Sequence, residues 1–266
     1  VCFLEKLKKT SFNYPDNSPF KYSFKLMELD FLIVIPARYN SSRFQGKPLA
    51  DIKGKSMIER VWNQCLSAAP KKQIIVATDD ERIFSHCKLK NINTIMTSAD
   101  CLTGSDRLAE VSKKIKASFY VNVQGDEPLI NPKDIKKVIN DFKKHGITNC
   151  ATKKIENESE LNNRNIPKIV TDKNNYLLYI SRANIPSSKN SSAKALKKQV
   201  CIYSFSHDAV RLFGLKSKKT KLEEIEDIEI LRVLENGIPV KIIDVKSDTV
   251  AVDTPEDLER VKKLCR

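Results

Sequence analysis

Short apolar runs alternating with amphipathic stretches constrain this chain more than any other feature. Runs at 31–36, 73–78, 93–96, 119–123 and 149–153 read as buried strands. Helical patterns lie between them. Ser56 caps the first, Glu59 completes a capping box, and Met57, Ile58, Val61, Trp62, Cys65, Leu66 and Ala69 share one face. Helices are also expected over 81–89 and 107–115, and Asn131 with Pro132 opens another that runs to Lys144. The alternation predicts an α/β fold with a doubly wound, mostly parallel sheet. Ligands of such sheets bind beyond the carboxyl ends of the strands, so the loops after Ile35, Thr78, Met96 and Val123 should line the site.

The second half reads differently. Strands at 168–171 and 176–181 flank Asp172-Lys173-Asn174-Asn175 as an antiparallel hairpin. A loop is expected over 187–198, a strand over 200–205, a single helix over 222–236 stopped by Gly237, and a strand over 240–245. Thr254 and Pro255 open the last helix. Residues 1–27 show no periodicity and are expected to be an N-terminal extension outside the core. Residues 28–266 then form one domain, with 166–200 as its hairpin and loop region.

No run approaches 18 apolar residues, so no membrane span is expected. The first residues, Val1-Cys2-Phe3-Leu4, precede rather than follow charge, unlike a secretory signal. Seven cysteines, an odd number with no C-x-x-C pair, read as free thiols in a reducing cytoplasm. The formal net charge is +14, but 36 of the 47 basic residues are scattered lysines, which argues against a nucleic-acid partner. An anionic small substrate is compatible with that charge.

Glycine is scarce, yet three of the seven fall on loops at strand ends, at Gly46, Gly104 and Gly125. The loop after the first strand carries Arg38, Arg43 and Lys47 among hydroxyl residues, a composition suited to a triphosphate. It is neither a Walker loop nor a G-x-G-x-x-G fingerprint, which disfavours ATPase and dehydrogenase chemistry. Asp126 and Asp253 each follow a strand-like run, and two such carboxylates can share one Mg²⁺ with substrate phosphates. Thr254 already caps the last helix and leaves Asp253 free for that role.

These segments, in order, resemble the 3-deoxy-manno-octulosonate (KDO) cytidylyltransferases. The resemblance is carried by Pro36-Ala37-Arg38, Gly46-Lys47-Pro48-Leu49, Ala77-Thr78-Asp79, 103–110, 122–128 and 252–258, and it runs from about residue 31 to the C-terminus. Segments 181–186 and 231–237 look like further pieces of the pattern. It implies a nucleotidyltransferase fold, of the nucleotide-diphospho-sugar transferase type, with a projecting hairpin that pairs two subunits. It also implies transfer from CTP to an acid sugar, giving the CMP-sugar and pyrophosphate for lipopolysaccharide or other surface-glycan synthesis. On this pattern Arg38, Lys47, Asp126 and Asp253 are the catalytic set, and Asp126 and Asp253 are the Mg²⁺ ligands. Pro36, Ala37, Arg38, Ser42, Arg43, Lys47, Thr78, Ser105 and Arg107 surround the nucleotide. Gln124, Gln199, Tyr203, Glu229 and Ile230 surround the sugar.

The chain departs from the pattern on the sugar side. Gln199 stands where the family usually has His, and Ile230 where it has Gln. If both face the sugar, the pocket should favour an analogue of KDO; if neighbours such as Tyr203 and Glu229 compensate, KDO is still the substrate. Two other classes share some features: a sugar-1-phosphate nucleotidyltransferase, which normally carries a glycine-rich first loop, and a basic binding protein, which has no need of paired carboxylates.

Overall fold

The computed structural model describes residues 29–41, 43–187, 196–215, 217–246 and 250–265. The expectation for the N-terminal extension lies outside these residues. Its strands are β1 (Leu32–Ala37), β2 (Asp51–Ile52), β3 (Lys55–Ser56), β4 (Ile74–Thr78), β5 (Thr94–Met96), β6 (Tyr120–Val123), β7 (Asn149–Lys154), β8 (Lys168–Thr171), β9 (Leu177–Ser181), β10 (Lys197–Phe205) and β11 (Lys241–Asp244). The main sheet runs β11-β7-β10-β6-β1-β4-β5. Along this path only β10 runs against the rest.

Both faces of β1 are covered, which is why its run is apolar at every position. Ile33 and Ile35 pack under α1 (Met57–Leu66), α2 (Glu81–Leu89) and α4 (Pro132–His145). Leu32 and Val34 face α3 (Gly104–Lys114), α6 (His207–Arg211) and α8 (Ile230–Glu235). The capping box at Ser56 and the caps at Asn131 and Thr254 form as read, and Asp257 completes a box with Thr254 at the start of α9 (Pro255–Leu264). Among the described residues no helix is long and apolar enough to cross a membrane.

Several elements differ from the sequence reading. Helix α3 begins at Gly104, three residues early, because Thr103 and Asp106 form a capping box. The polar stretch after β1 holds a 3₁₀ turn at Lys47–Leu49 and the β2–β3 ribbon. The short helices α5 (Glu158–Asn162) and α6 were not anticipated. Residues 250–252 are not a strand, although Val252 N–H donates to the Asp126 carbonyl at 2.9 Å.

The single helix expected over 222–236 is two, α7 (Lys221–Glu226) and α8, broken at Asp227 with φ 50°. Tertiary contacts override helix propensity here. The Glu226 carboxylate accepts from Ser181 Oγ at 2.5 Å and Arg182 N–H at 2.9 Å, which pulls the chain out of register. The hairpin of β8 and β9 forms with the expected antiparallel pairing. It anneals to β10 and buries Ile169, Leu177 and Ile180 in this chain's own core, so those residues need no second subunit to cover them. Leu178 is the residue it leaves out, 57% exposed.

Candidate active site

The carboxyl ends of β1 and β6 meet at Gly125. A Cβ there would come within 2.6 Å of the Pro36 carbonyl, so only glycine permits this approach. Above the contact opens a cavity of about 280 Å³, with Pro36, Ala37 and Arg38 on one side and Gln199 and Tyr203 on another.

The acidic pair sits at its mouth. Lys47 Nζ lies 2.7 Å from Asp126 Oδ2, 3.3 Å from Asp253 Oδ1 and 3.1 Å from the Val252 carbonyl. Arg43 Nη2 reaches the same Asp253 oxygen at 3.0 Å. Two carboxylates separated by 127 positions therefore face one point, and an ammonium can bridge them. Burial alone would lower the Lys47 pKa, but Asp126 and Asp253 outweigh it and hold the group above the ordinary lysine value. The donor set fits a hard divalent cation, which takes one or two carboxylates and fills its shell with substrate oxygens and water. Among the described residues no three His, Cys, Asp or Glu side chains gather on one point, so such a cation would depend on substrate oxygens.

A second wall is the N-terminal turn of α3. Arg107 borders the cavity, but its guanidinium is tied inward to Asp79 Oδ2 at 2.9 Å, to the Thr97 hydroxyl and to the Ser98 carbonyl. Glu229 receives the N–H groups of Gly104 and Ser105 at 3.0 and 2.9 Å, and the Ser105 hydroxyl as well. It acts as the anion at the start of a helix, where the backbone N–H groups and the dipole favour negative charge. Burial pushes its carboxyl above the usual carboxylate range, against those three hydrogen bonds.

The third wall is β10. Gln199, Cys201 and Tyr203 alternate onto the cavity side, and Gln199 Nε2 donates to Tyr203 Oη at 2.5 Å. The loop leaving β6 closes against this strand, with Gln124 N–H donating to the Cys201 carbonyl at 3.4 Å and Cys201 N–H to Glu127 at 3.2 Å. Burial drives the Tyr203 hydroxyl and the Cys201 thiol well above their ordinary values, which keeps both neutral.

Of the site residues read from the sequence, Pro36, Ala37, Arg38, Arg43, Lys47 and Arg107 border the cavity, as do Gln124, Asp126, Gln199, Tyr203, Glu229 and Asp253. Ser42 lies outside the described residues. Thr78 and Ser105 are fully buried behind the wall. The Thr78 hydroxyl accepts from Asp80 N–H at 3.2 Å, while Ser105 is engaged by Glu229.

The expectation that Ile230 forms an apolar wall to the sugar is corrected. As the first residue of α8 it points into the core and is fully buried, and Ile228 stands on the cavity wall instead. Sequence reasoning missed Arg182, which borders the cavity from the end of β9. Its guanidinium donates to the carbonyls of Glu226 at 2.6 Å, Asp227 at 3.0 Å and Arg164 at 3.1 Å, and so fixes the α7–α8 corner. An arginine just after a buried strand was the available signal.

The chain is similar to known proteins along most of its length. The sequence profile described as Cytidylyltransferase matches residues 32–246. The 3-deoxy-manno-octulosonate cytidylyltransferase of Fusobacterium nucleatum is 41% identical over 236 residues, covering 88% of this chain and 96% of that protein. The protein of the same name from Protochlamydia amoebophila is 40% identical over 245 residues, covering 88% and 93%. The solved structure of CMP:2-keto-3-deoxy-manno-octonic acid synthetase complexed with CTP superposes with a TM-score of 0.82 at 35% identity, over 88% of this chain and 98% of that one. The chain belongs to the 3-deoxy-manno-octulosonate cytidylyltransferase family.

Proposed function

We propose that this protein transfers the cytidylyl group of CTP to the anomeric hydroxyl of a 3-deoxy-ulosonic acid, KDO or a close analogue. The hydroxyl oxygen attacks the α-phosphorus as its proton passes to solvent, the bond from that phosphorus to the bridging oxygen breaks, and pyrophosphate leaves. The observation that carries the reading is the convergence of Asp126 and Asp253 on one point at the rim of a cavity ringed by Arg38, Arg43 and Lys47. Nucleotidyl transfer needs positioning and charge neutralisation more than covalent help, and this rim supplies both.

In this reading Arg38, Arg43 and Lys47 hold the triphosphate. Asp126 and Asp253 are the side chains that would hold Mg²⁺. Bound there, the ion supplies positive charge to the phosphates and lowers the pKa of the attacking hydroxyl. No histidine is found among the described residues that border the cavity, and the reading requires none as a base. Gln124, Gln199 and Tyr203 offer the sugar hydrogen bonds from the β6 and β10 walls. Glu229 acts indirectly by fixing the start of α3. The six described cysteines are unpaired, which supports a reducing compartment such as the cytoplasm.

Pyrophosphate release measured across CTP, UTP, dTTP and ATP with a panel of acid sugars tests the reading. Turnover is expected with CTP and an ulosonic acid, and turnover only with a sugar 1-phosphate would overturn it. We also propose a homodimer through the 166–200 region, supported by the exposed Leu178 on β9. Light scattering should give a dimer for the wild type and a monomer for Leu178→Glu. A wild-type monomer at micromolar concentration would end that proposal.

A further inference from the structure

Tyr39 does not border the cavity, yet it stands at the root of the loop that carries the basic residues. The Arg82 guanidinium lies over its ring, with Cζ 3.3 Å from the centroid. Arg82 is itself gripped by Asp80 through two hydrogen bonds of 2.9 and 2.7 Å. Asp80 caps α2, and its N–H donates to Thr78 Oγ1 at 3.2 Å, which anchors the assembly to the end of β4.

The other end of the loop closes on the same tyrosine. Gly46 N–H donates to the Tyr39 carbonyl at 2.8 Å. Gly46 has φ 69°, and a Cβ on it would come within 3.0 Å of the Tyr39 ring, so glycine lets the chain turn flat against that ring. The next residue is Lys47, which opens the 3₁₀ turn and reaches Asp126 and Asp253. A chain of contacts therefore runs from β4 through Asp80, Arg82, Tyr39 and Gly46 to the ammonium at the acidic pair.

We propose that Tyr39, clasped by Arg82, is a positioning residue for nucleotide binding. It holds residues 38–41 and 43–47 in the arrangement that presents Arg38, Arg43 and Lys47 to the triphosphate. The proposal rests on the CTP reading above. Holding the loop in advance removes an ordering cost that binding would otherwise carry, and that cost grows with each residue fixed. The Arg82 side chain is 58% exposed, so removing it leaves the core intact.

The test compares Tyr39→Ala, Tyr39→Phe, Arg82→Ala and Arg82→Lys with the wild type. CTP affinity is measured by calorimetry without sugar, steady-state constants for both substrates are determined, and amide exchange is followed at Gly46. Tyr39→Ala and Arg82→Ala should each weaken CTP binding about three- to thirtyfold, the span a guanidinium–ring contact supports. The KM for the sugar should stay near wild type in both, the melting temperature should stay near wild type in Arg82→Ala, and Gly46 should lose protection. Arg82→Lys should behave like Arg82→Ala, since an ammonium cannot stack and grip Asp80 in the same way. Tyr39→Phe keeps the ring and should restore wild-type affinity. The double Ala variant should be no worse than the worse single one, because both act through one contact. Unchanged CTP affinity with unchanged Gly46 exchange in Tyr39→Ala overturns the proposal. In Arg82→Ala, a parallel loss of both substrates with a lower melting temperature also overturns it. If wild type binds no CTP while Gly46 protection still depends on Tyr39, the clasp stands and the nucleotide reading fails.

Discussion

Two charge clusters in this protein use the same chemistry to different ends. Around Arg232 both carboxylate partners are buried. Its guanidinium holds Glu223 with two bonds of 2.6 and 2.7 Å and Asp106 at 2.7 Å, and Arg232, Asp106 and Glu223 all have side chains about 1% exposed. Asp106 also takes the N–H of Gly214 and the hydroxyl of Ser217, so its oxygens are saturated. Around Lys47 the pair Asp126 and Asp253 is 27% and 26% exposed, opens onto the cavity and faces one point. The first cluster is closed and welds α3 to α7 and α8. The second stays partly open to solvent at the cavity. Burial and the number of filled lone pairs, rather than the residue types, separate a closed network from an open one.

The largest effect should come from breaking the closed cluster. Arg232→Met leaves Asp106 and Glu223 buried without a counter-charge and should cost about 3–5 kcal/mol of unfolding free energy. Urea denaturation measures it, and an unchanged midpoint would erase the contrast between the clusters. Next, Asp126→Asn and Asp253→Asn should each lower kcat about a hundred- to thousandfold, since each removes one of two carboxylates that would hold the cation. Their melting temperatures should move little, and full activity of both variants, or of the wild type in EDTA, is the contrary result.

Acid should distinguish the clusters more gently. Burial would raise the Asp106 carboxyl, but Gly214 N–H, the Thr103 hydroxyl and Arg232 outweigh it and hold the group below the ordinary aspartate value. Its folded pKa is thus below its unfolded one. The stability it contributes is full above the unfolded value of about 3.9 and is lost as pH falls through the folded value. Denaturation between pH 2 and 6 should show a shallower acid loss in Asp106→Asn than in wild type. Smallest of all, Gln199→His on the open wall should change the ratio of specificity constants between KDO and related ulosonic acids by about tenfold, the worth of one buried hydrogen bond. Stability should hold, and an unchanged ratio would mean that Gln199 takes no part in sugar choice.

The sequence by itself determined the elements whose causes are local. The alternation of runs gave the two-faced sheet, and the caps at Ser56, Asn131 and Thr254 start helices where their side chains meet the next turn. The basic loop after β1 and Asp126 after β6 were also legible, because a parallel sheet places those strand ends together, whereas Asp253 reaches them from 250–252, which form no strand. Tertiary structure alone decided the rest. It set β10 antiparallel between β6 and β7, and it broke the helix at Asp227 through bonds to Ser181 and Arg182. It turned Ile230 into the core and left Ile228 on the wall, and it joined Arg232 to Asp106 across 126 positions. A helix cap or an apolar period is written within a few residues. A buried ion pair, or a side chain's choice between core and cavity, depends on where segments distant in sequence arrive, and no local period encodes that.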